Sequence, residues 1–557
     1  MVFEYKGQKF LTDNDLEVVN LGRFPEIIIQ NKELKEIFEK GYERNLLGGD
    51  EIISYRQSLV AKGMQFDKLE EEILKDIKDS EKPDIKEIVF DKTATGIGSG
   101  HSMGGLSGIT FGLHGTKMID SGLTGLVASR SLVTSGRRRE VAEEDIVIPE
   151  SITKRENLLK EYLEISRAAF KESKDFKTKF GRLSGIEAFN KALSYNNPAD
   201  LFIGLPLDTM ATLAFEVKQD QLNPKGPFLP REIHTLVKQF PEIAEENGIG
   251  TMYKQRIQVP RDTYFHYNVF KDPNFPNYPS ELVRKLGMPS KPQLIDSHID
   301  LTDGFKEGLN NLKKIFEQTK KIKEPEELAE AAIKCMLSTR ELTEEYNEAV
   351  RVKILDNLSF RVWSEQKRHA TLRQNVESIY SAAKNASEKM KELWPGIERA
   401  YNKTGYFEIP ELEKIVVIEK KLKKNHELLI PYAYHTGKQL MFFDKLTKED
   451  VPLRDAVYVI PRNIKTKNIE NYDLKNLIDL ELPLRLCTAC EPERYATSWQ
   501  KRELIAEAIP ELEYFLQPKC NVGFCTEANY CKHITDLREY NPDLHKKTKQ
   551  AMLNKAR

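Results

Sequence analysis

Residues 361–380 read RVWSEQKRHATLRQNVESIY and hold the most informative polar residues of the chain. Arg368 and His369 are followed at short distances by Asn375 and Ser378. A planar guanidinium binds a phosphate through two parallel donors, and the imidazole, amide and hydroxyl groups add further donors and acceptors. The spacing therefore favours a binding site over the alternative, a basic pair on the solvated face of a helix.

Length and composition limit the classes of protein that need to be considered. At 557 residues the chain is several times longer than a typical domain, so we expect at least two hydrophobic cores. Charged residues make up 31% and the net charge is -1, which is usual for a soluble globular protein and gives no basic field for nucleic acid. No apolar run reaches the roughly 18 residues of a membrane helix. We expect a cytoplasmic protein with no membrane partner.

A composition shift divides the chain into two halves. Residues 260–292 are rich in Pro, Asn, Asp and Tyr, which is typical of a linker. We therefore predict a first domain at 1–255, a linker at 256–295 and a second domain at 296–557.

Local patterns predict several elements. Amphipathic spacing predicts a helical region from a Ser151 cap to residue 193, and a second one over 303–343 that is interrupted at Pro325. Apolar residues alternate with basic ones over 349–355, which predicts a strand covered on one side. The glycine-rich residues 95–125 allow either close approach to a ligand or a flexible loop, and composition leaves both open.

The run at 361–380 resembles the signature of the flavin-dependent thymidylate synthases, an R-H-R-x-x-S-x-N-E-x-S-x-R pattern. Four residues match the pattern, namely Arg368, His369, Asn375 and Ser378. Four others depart from it, with Ala370 and Tyr380 in place of arginines, Arg373 in place of a serine and Val376 in place of a glutamate.

Other segments resemble the same family. Leu484-Arg485 is similar to its L-x-L-R segment, whose arginine contacts the uracil ring. In the first half, Gly100-His101 resembles a segment whose histidine lies by the flavin, and Ser135-Gly136-Arg137 resembles the S-x-R end of the signature. Because the halves keep different parts of the pattern, we interpret the chain as a tandem pair.

The resemblance implies a fold, a reaction and a set of site residues. The fold is α/β (α+β), with two tandem thymidylate synthase-like domains, each a mixed sheet with long helices, of which the first is degenerate. The reaction is methyl transfer to C5 of dUMP, with methylenetetrahydrofolate and NADPH as co-substrates and FAD as the hydride carrier. The residues implied are His101, Arg368, His369 and Asn375 for FAD, Ser135, Arg137, Ser378 and Arg485 for the nucleotide, and Ser378 with Arg485 for catalysis. A homodimer would then form a pseudo-tetramer, since the family builds its sites from several subunits.

Five of the six cysteines cluster near the C-terminus, at Cys487, Cys490, Cys520, Cys525 and Cys531. Together with His533 they supply enough soft ligands for a zinc ion or an iron–sulfur cluster. Buried thiols or a disulfide are the alternatives that the spacing leaves open. Nothing in the family pattern asks for a metal here.

Two further functions stay open. The missing arginines of the second half are also what a catalytically retired binding or scaffold protein would show. A flavin-dependent methylation of a larger uracil substrate such as RNA is the other alternative, for which the lysine-rich residues 414–424 and 545–549 give weak electrostatic support.

Overall fold

The computed structural model describes residues 3–24, 29–43, 55–56, 59, 64–81, 108–126, 130–133, 146–180, 193–250, 253–254, 257, 269–274, 278–367, 371–418, 420–522, 525 and 542–555. Six of the residues predicted to form a site lie outside these ranges, namely His101, Ser135, Arg137, Arg368, His369 and Cys531.

The chain divides into two compact units. Unit 1 comprises Met1–Pro273, Ser378–Glu408 and Lys421–Arg462, and unit 2 comprises Asn274–Glu377, Ile409–Lys420 and Asn463–Arg557. The division after Pro273 falls inside the predicted linker, and two stretches from the second half of the chain belong to unit 1. The tandem domains at 1–255 and 296–557 stay a prediction.

The described strands form one small hairpin and two four-stranded sheets. In chain order the strands are β1 Phe3–Tyr5, β2 Gln8–Phe10, β3 Glu17–Phe24, β4 Gly108–Thr116, β5 Arg130–Val133, β6 Pro198–Pro206, β7 Gln293–Ile299, β8 Val350–Ser359, β9 Arg373–Val376 and β10 Lys465–Asp473. The sheet of unit 1 has the order β3-β4-β6-β5, and the sheet of unit 2 has the order β7-β8-β10-β9.

Helices occupy most of the rest of the described chain. They are α1 Lys32–Glu43, α2 Leu69–Asp79, α3 Lys117–Leu126, α4 Glu150–Thr153, α5 Glu156–Phe180, α6 Leu207–Gln221, α7 Arg231–Glu246, α8 Tyr278–Lys285, α9 Asp303–Thr319, α10 Pro325–Tyr346, α11 Phe360–Gln366, α12 Ile379–Tyr401, α13 Ile409–Glu413, α14 Lys420–Lys423, α15 His426–Lys448, α16 Leu453–Ala456, α17 Leu474–Ile478, α18 Glu481–Arg485, α19 Pro492–Ala508 and α20 Pro542–Lys555. The predicted mixture of helix and sheet is confirmed at this level. No described helix combines the length and the apolar character needed to cross a bilayer.

The two four-stranded sheets share one topology. Numbered within its own sheet, each has the strand order first, second, fourth, third, and every pairing is antiparallel. A helix directly follows the second strand in both, α3 after β4 and α11 after β8. Among the described strands both sheets are therefore antiparallel throughout, where mixed sheets were predicted.

A buried glutamate fixes the equivalent corner of each sheet. In unit 1, the backbone N–H and the hydroxyl of Thr116, at the end of β4, donate to the two carboxylate oxygens of Glu232 at 2.8 and 2.6 Å. In unit 2, the N–H and hydroxyl of Ser359, at the end of β8, donate to Glu493 at 2.7 and 2.8 Å. Both glutamates are the second residue of a helix, α7 or α19. The same contact thus holds the second strand to a later helix in each unit.

The core of unit 2 lies between its sheet and helices α9, α10 and α19. Val350, Val352 and Ile354 face this core from β8, while Arg351 is exposed, so the predicted strand is confirmed. The predicted break at Pro325 is confirmed as well, since helix α10 begins at that residue. Proline is tolerated at the first position of a helix, because the N–H that it lacks would have no partner there.

Long helices pack against each other in unit 1. Helices α12 and α15 approach closely at Gly437, where an added Cβ would lie 2.7 Å from the ring of Trp394. Tyr162 of α5 meets Phe442 of α15, with ring centroids 6.4 Å apart. The expected Ser151 cap is wrong, because α4 already begins at Glu150 after Pro149, and a second helix follows from Glu156.

Candidate functional site

The described residues of the 361–380 run lie on two different elements. Asn375 is half-buried on β9 and pairs with Ile469 of β10. Ser378 is buried at the start of α12, where its hydroxyl donates to the carbonyl of Lys271 at 2.8 Å. The unit boundary falls between these residues, after Glu377.

Two of the residues that depart from the family pattern, Tyr380 and Val376, are buried in the structure. Tyr380 replaces the last arginine of the pattern and is 1% exposed in unit 1. Its hydroxyl donates to the carbonyl of Phe228, and its ring packs against Phe228 and Phe270. Val376 is also buried, whereas Arg373 is exposed. Position 380 therefore contributes to a hydrophobic core and offers no cation to a phosphate.

Arg485 ends helix α18 with its side chain 13% exposed. Its Nε donates to Glu481, one helical turn earlier, at 2.8 Å. One terminal guanidinium nitrogen, Nη2, has no hydrogen-bond partner among the described residues. Arg485 also contacts Cys490, whose thiol pKa is raised by burial while the guanidinium acts in the opposite direction. The guanidinium is thus held in place by Glu481 and keeps one unused donor.

The described cysteines do not assemble a metal site. Cys487 and Cys490 lie in one turn after α18, where the Cys490 N–H donates to the Cys487 carbonyl at 3.0 Å. Cys520 and Cys525 are buried, and none of the four is in a disulfide. Within the described ranges, no group of three His, Cys, Asp or Glu side chains is arranged to hold a metal ion. Cys531 and His533 fall outside those ranges, so the zinc or iron–sulfur site stays a prediction.

A buried charge cluster, formed by Asp356, Glu470, Arg494 and Lys501, occupies the centre of unit 2. Each of the four side chains is at most 1% exposed. Arg494 Nη1 donates to Asp356 at 3.1 Å and to Glu470 at 3.2 Å. Lys501 Nζ lies 2.6 Å from Glu470 and also contacts Asp356. Arg494 Nη2 also lies 3.5 Å from the buried Glu481, the partner of Arg485. Asp356 and Glu470 are therefore neutralised by Arg494 and Lys501 away from water.

Neutral polar groups complete this buried charge cluster. Tyr472 donates to Glu470 at 2.6 Å, Asn468 donates to it at 3.2 Å, and Gln366 donates to it as well. Burial would raise the pKa of Glu470, but Arg494 and Lys501 outweigh burial and hold that pKa well below its usual range. Glu470 is therefore ionised at neutral pH and is unsuited to act as a general acid.

Sequence reasoning missed the buried charge cluster because its members lie on β8, β10 and α19. One signal was available: Arg494 and Lys501 are seven residues apart, which places them on one face of a helix. Asp356 and Glu470 have no comparable sequence signal, since β8 contains one acid and the two acids of β10, Glu470 and Asp473, are not distinguished by their spacing. Only the pairing of β8 with β10, at Asp356 opposite Asn468, brings them near each other.

Comparison with known proteins points to one family over part of the chain. A flavin-dependent thymidylate synthase of Sulfurisphaera tokodaii is 30% identical over 103 residues, which are 18% of this chain and 37% of that protein. A flavin-dependent thymidylate synthase of Pyrococcus horikoshii is 30% identical over 122 residues, 21% of this chain and 50% of that protein. The chain spans about half or less of the length of these curated relatives. No family model matches the chain.

Proposed function

We propose that this chain is a divergent relative of the flavin-dependent thymidylate synthases that binds FAD and dUMP and transfers a methyl group to C5 of the uracil ring. The local identity to two such enzymes carries the proposal. The residues that match the signature, Arg368, His369, Asn375 and Ser378, agree with it. Methylenetetrahydrofolate would provide the carbon, and NADPH would reduce the flavin.

Arg485 is the described residue best suited to the pyrimidine. Its unused Nη2 donor fits a carbonyl oxygen or an anionic ligand, because a buried guanidinium nitrogen without a partner gains free energy from an acceptor. Glu481 would fix the orientation of the guanidinium, so that little side-chain entropy is lost on binding. In this proposal Arg485 stabilises the negative charge that develops on the ring, which is electrostatic catalysis without an enzyme nucleophile.

The flavin would be held mainly by residues outside the described ranges, Arg368, His369 and His101. Asn375 is the member of this set that the structure describes, and its half-buried amide on β9 is placed to donate or accept a hydrogen bond. When bound, the reduced flavin supplies the hydride that completes the methyl group.

We further propose that the chain arose by tandem duplication. The common strand order of the two sheets supports this, and so does the equivalence of the Thr116–Glu232 and Ser359–Glu493 contacts. In such a chain the first half would contribute His101, Ser135 and Arg137, and two chains would form a pseudo-tetramer with the number of family-like domains found in the homotetramer.

A second candidate function, a catalytically retired binding protein, is favoured by Tyr380 and by the buried charge cluster. Tyr380 is a core residue at a position where the family pattern has an arginine. In unit 2, Asp356 and Glu470 are neutralised by Arg494 and Lys501, and none of these four side chains is more than 1% exposed, so none can contact a ligand directly. Such a protein would keep a nucleotide or flavin but would not turn over.

Two measurements distinguish these candidates. The purified chain is reconstituted with FAD, desalted and examined for flavin bands in its visible absorbance spectrum, which also shows any iron–sulfur charge transfer. It is then incubated with C5-tritiated dUMP, methylenetetrahydrofolate and NADPH, and the release of tritium to water is counted. Flavin retention with tritium release supports the enzyme, and flavin retention alone supports the retired protein. Failure to retain any flavin would refute the enzyme and would leave only a retired protein that binds a nucleotide or acts as a scaffold.

Arg485→Met should abolish most tritium release while flavin retention stays unchanged, because the substitution removes the donor to the pyrimidine and keeps the apolar stem. Loss of one charged hydrogen bond predicts a fall of roughly tenfold or more in dUMP affinity. Arg340→Met is the matched control, since Arg340 is exposed on α10 and pairs only with Glu344. Equal activity of the two variants would exclude Arg485 from the site.

A further inference from the structure

Unit 1 contains a cavity of about 780 Å³ lined by residues of α6 and α7 together with Asn14 and Arg454. This volume lies in the range of roughly 300–1,000 Å³ that is usual for small-molecule sites. Ala214, Val217 and Val237 give the cavity an apolar side. The cavity can therefore accept a ligand that has an apolar or aromatic part as well as polar groups.

The polar side of the cavity is strongly cationic. Lys218, Arg231, Lys238 and Arg454 line it, and no aspartate or glutamate is among its described lining residues. Lys218 and Lys238 are exposed and form no ion pair with any described residue. A ligand that enters the cavity thus meets four positive side chains, two of which have no partner to give up.

Arg231, one of these cations, pairs with two buried acids. Asp455 accepts from Arg231 Nε at 3.2 Å and from Nη2 at 3.1 Å, and Asp13 lies 3.3 Å from the same guanidinium. Both of these acids are 0% exposed, whereas a third acid, Glu150, is 36% exposed and lies 3.8 Å from Arg231 Nη1. His234, also in the lining, is held by Asp220 at 2.9 Å. Arg231 and His234 are therefore held in position by acids of unit 1 without a ligand.

Of the two arginines in the lining, Arg454 has the fewer partners. Its side chain is 13% exposed, and its nearest carboxylate oxygen, on Asp455, lies 3.7 Å away. Its Nε has no hydrogen-bond partner among the described residues. Burial lowers the pKa of Arg454, and the positive charge of Arg231 lowers it further. An anion in the cavity would remove both penalties, because it supplies an acceptor and an opposite charge.

We propose that this cavity binds a small phosphorylated ligand with at least two negative charges, through residues other than those proposed for the flavin and the uracil ring. Two lysines and two arginines match the several oxygens of such an anion, and arginine binds them through paired donors. The apolar wall would pack against the organic part of the ligand. A free polyphosphate or a nucleotide would share this chemistry, and the site uses none of the residues on which the proposed enzyme depends.

The test is isothermal titration of the full chain with inorganic pyrophosphate and, separately, with adenosine monophosphate at low ionic strength. We expect saturable binding of at least one probe, weakened by added salt because ionic screening acts on partly exposed charges. Tighter binding of pyrophosphate identifies a free polyphosphate as the better ligand, and tighter binding of adenosine monophosphate identifies a nucleotide. Saturable binding of neither probe would overturn the proposal.

Variants assign the binding to the cavity. Lys218→Ala with Lys238→Ala removes two exposed, unpaired charges without touching the core, and affinity should fall by about tenfold or more. Arg454→Met should have an effect of the same order, provided that circular dichroism shows a folded chain. Lys160→Ala is the control, since Lys160 is an exposed lysine of α5 that lies outside the cavity. Unchanged affinity in the double lysine variant would refute the assignment, whether or not the chain retains a flavin.

Discussion

Replacing Lys501 by methionine should destabilise unit 2, because it leaves two buried carboxylates with a single cation. Lys501 is 0% exposed and contacts both Asp356 and Glu470, the latter at 2.6 Å. Methionine keeps most of the apolar stem, so the loss comes from the charge rather than from a cavity. Removing one partner of a buried ion pair costs about 3–5 kcal/mol.

Protonation of one of the two carboxylates limits how much stability Lys501→Met can lose. A carboxyl group with an ordinary pKa near 4.3 can be neutralised at pH 7 for about 3.7 kcal/mol, so we expect a decrease of about 3–4 kcal/mol in the free energy of unfolding. At pH 5 the same protonation costs only about 1 kcal/mol, so the difference between variant and wild type should shrink accordingly. The low folded-state pKa of Glu470 has the same origin, and its contribution to stability is lost as the pH falls below about 4.

Urea unfolding followed by tryptophan fluorescence at pH 7 and pH 5 measures this effect, since Trp363 and Trp499 lie in unit 2. The control is Lys306→Met, whose ion pair with Asp303 is exposed and should be worth at most about 1 kcal/mol. Adding Glu470→Gln to Lys501→Met should recover part of the loss, because the second change removes the unpaired charge. A loss below about 1 kcal/mol at pH 7, or one that does not depend on pH, would refute this account of the buried charge cluster.

Two other predictions concern unit 1. Burial raises the pKa of Glu232 to about 7, and since the folded state then binds the proton more tightly than the unfolded one, stability should fall by up to about 3 kcal/mol as the pH rises from about 4.5 to 7. Glu232→Gln should flatten this part of the stability profile in urea titrations, and an unchanged slope would show that other groups cause it. Gly437→Ala should lower the thermal midpoint, because its Cβ would lie 2.7 Å from Trp394 and the resulting overpacking costs about 1–3 kcal/mol. Gly287→Ala, where nothing lies within 4 Å of the added Cβ, should leave the midpoint unchanged.

The sequence predicted those elements whose hydrophobic pattern is local. Val350, Val352 and Ile354 alternate with basic residues, which is the pattern of a strand covered on one side. Pro325 marks the start of a helix. Strand β10 could not be found in this way, because it reads KTKNIENYD and yet buries most of its polar residues. Polar residues can be buried there because Glu470 pairs with Arg494 and Lys501, which lie 24 and 31 residues further along the chain.

The candidate site shows the same limit. Glu481, the partner of Arg485, could have been identified from the sequence as its neighbour one helical turn earlier. The burial of Tyr380 could not, because its contacts with Phe228 and Phe270 join residues more than a hundred positions apart. Residue types at motif spacing thus indicated the chemistry, while the tertiary contacts decided which of those residues stay available to a ligand.

The two units share a strand order and one strand-to-helix contact, and they differ in the side chains that they bury. Both sheets have the same strand order, and both attach the second strand to a later helix through a glutamate and a hydroxyl. These contacts satisfy a buried backbone N–H, so losing either partner would leave that group unpaired at a cost of about 1–3 kcal/mol. Beyond this corner the halves diverge, since unit 2 places four charges between its strands and α19. A duplicated chain can tolerate such divergence if the Thr116–Glu232 and Ser359–Glu493 contacts are kept. These contacts fix the position of the second strand, whichever side chains cover the face of the sheet. Flavin retention and the Arg485→Met variant therefore test the proposed function, whereas the proposed duplication rests on the strand order and on the contacts of Glu232 and Glu493.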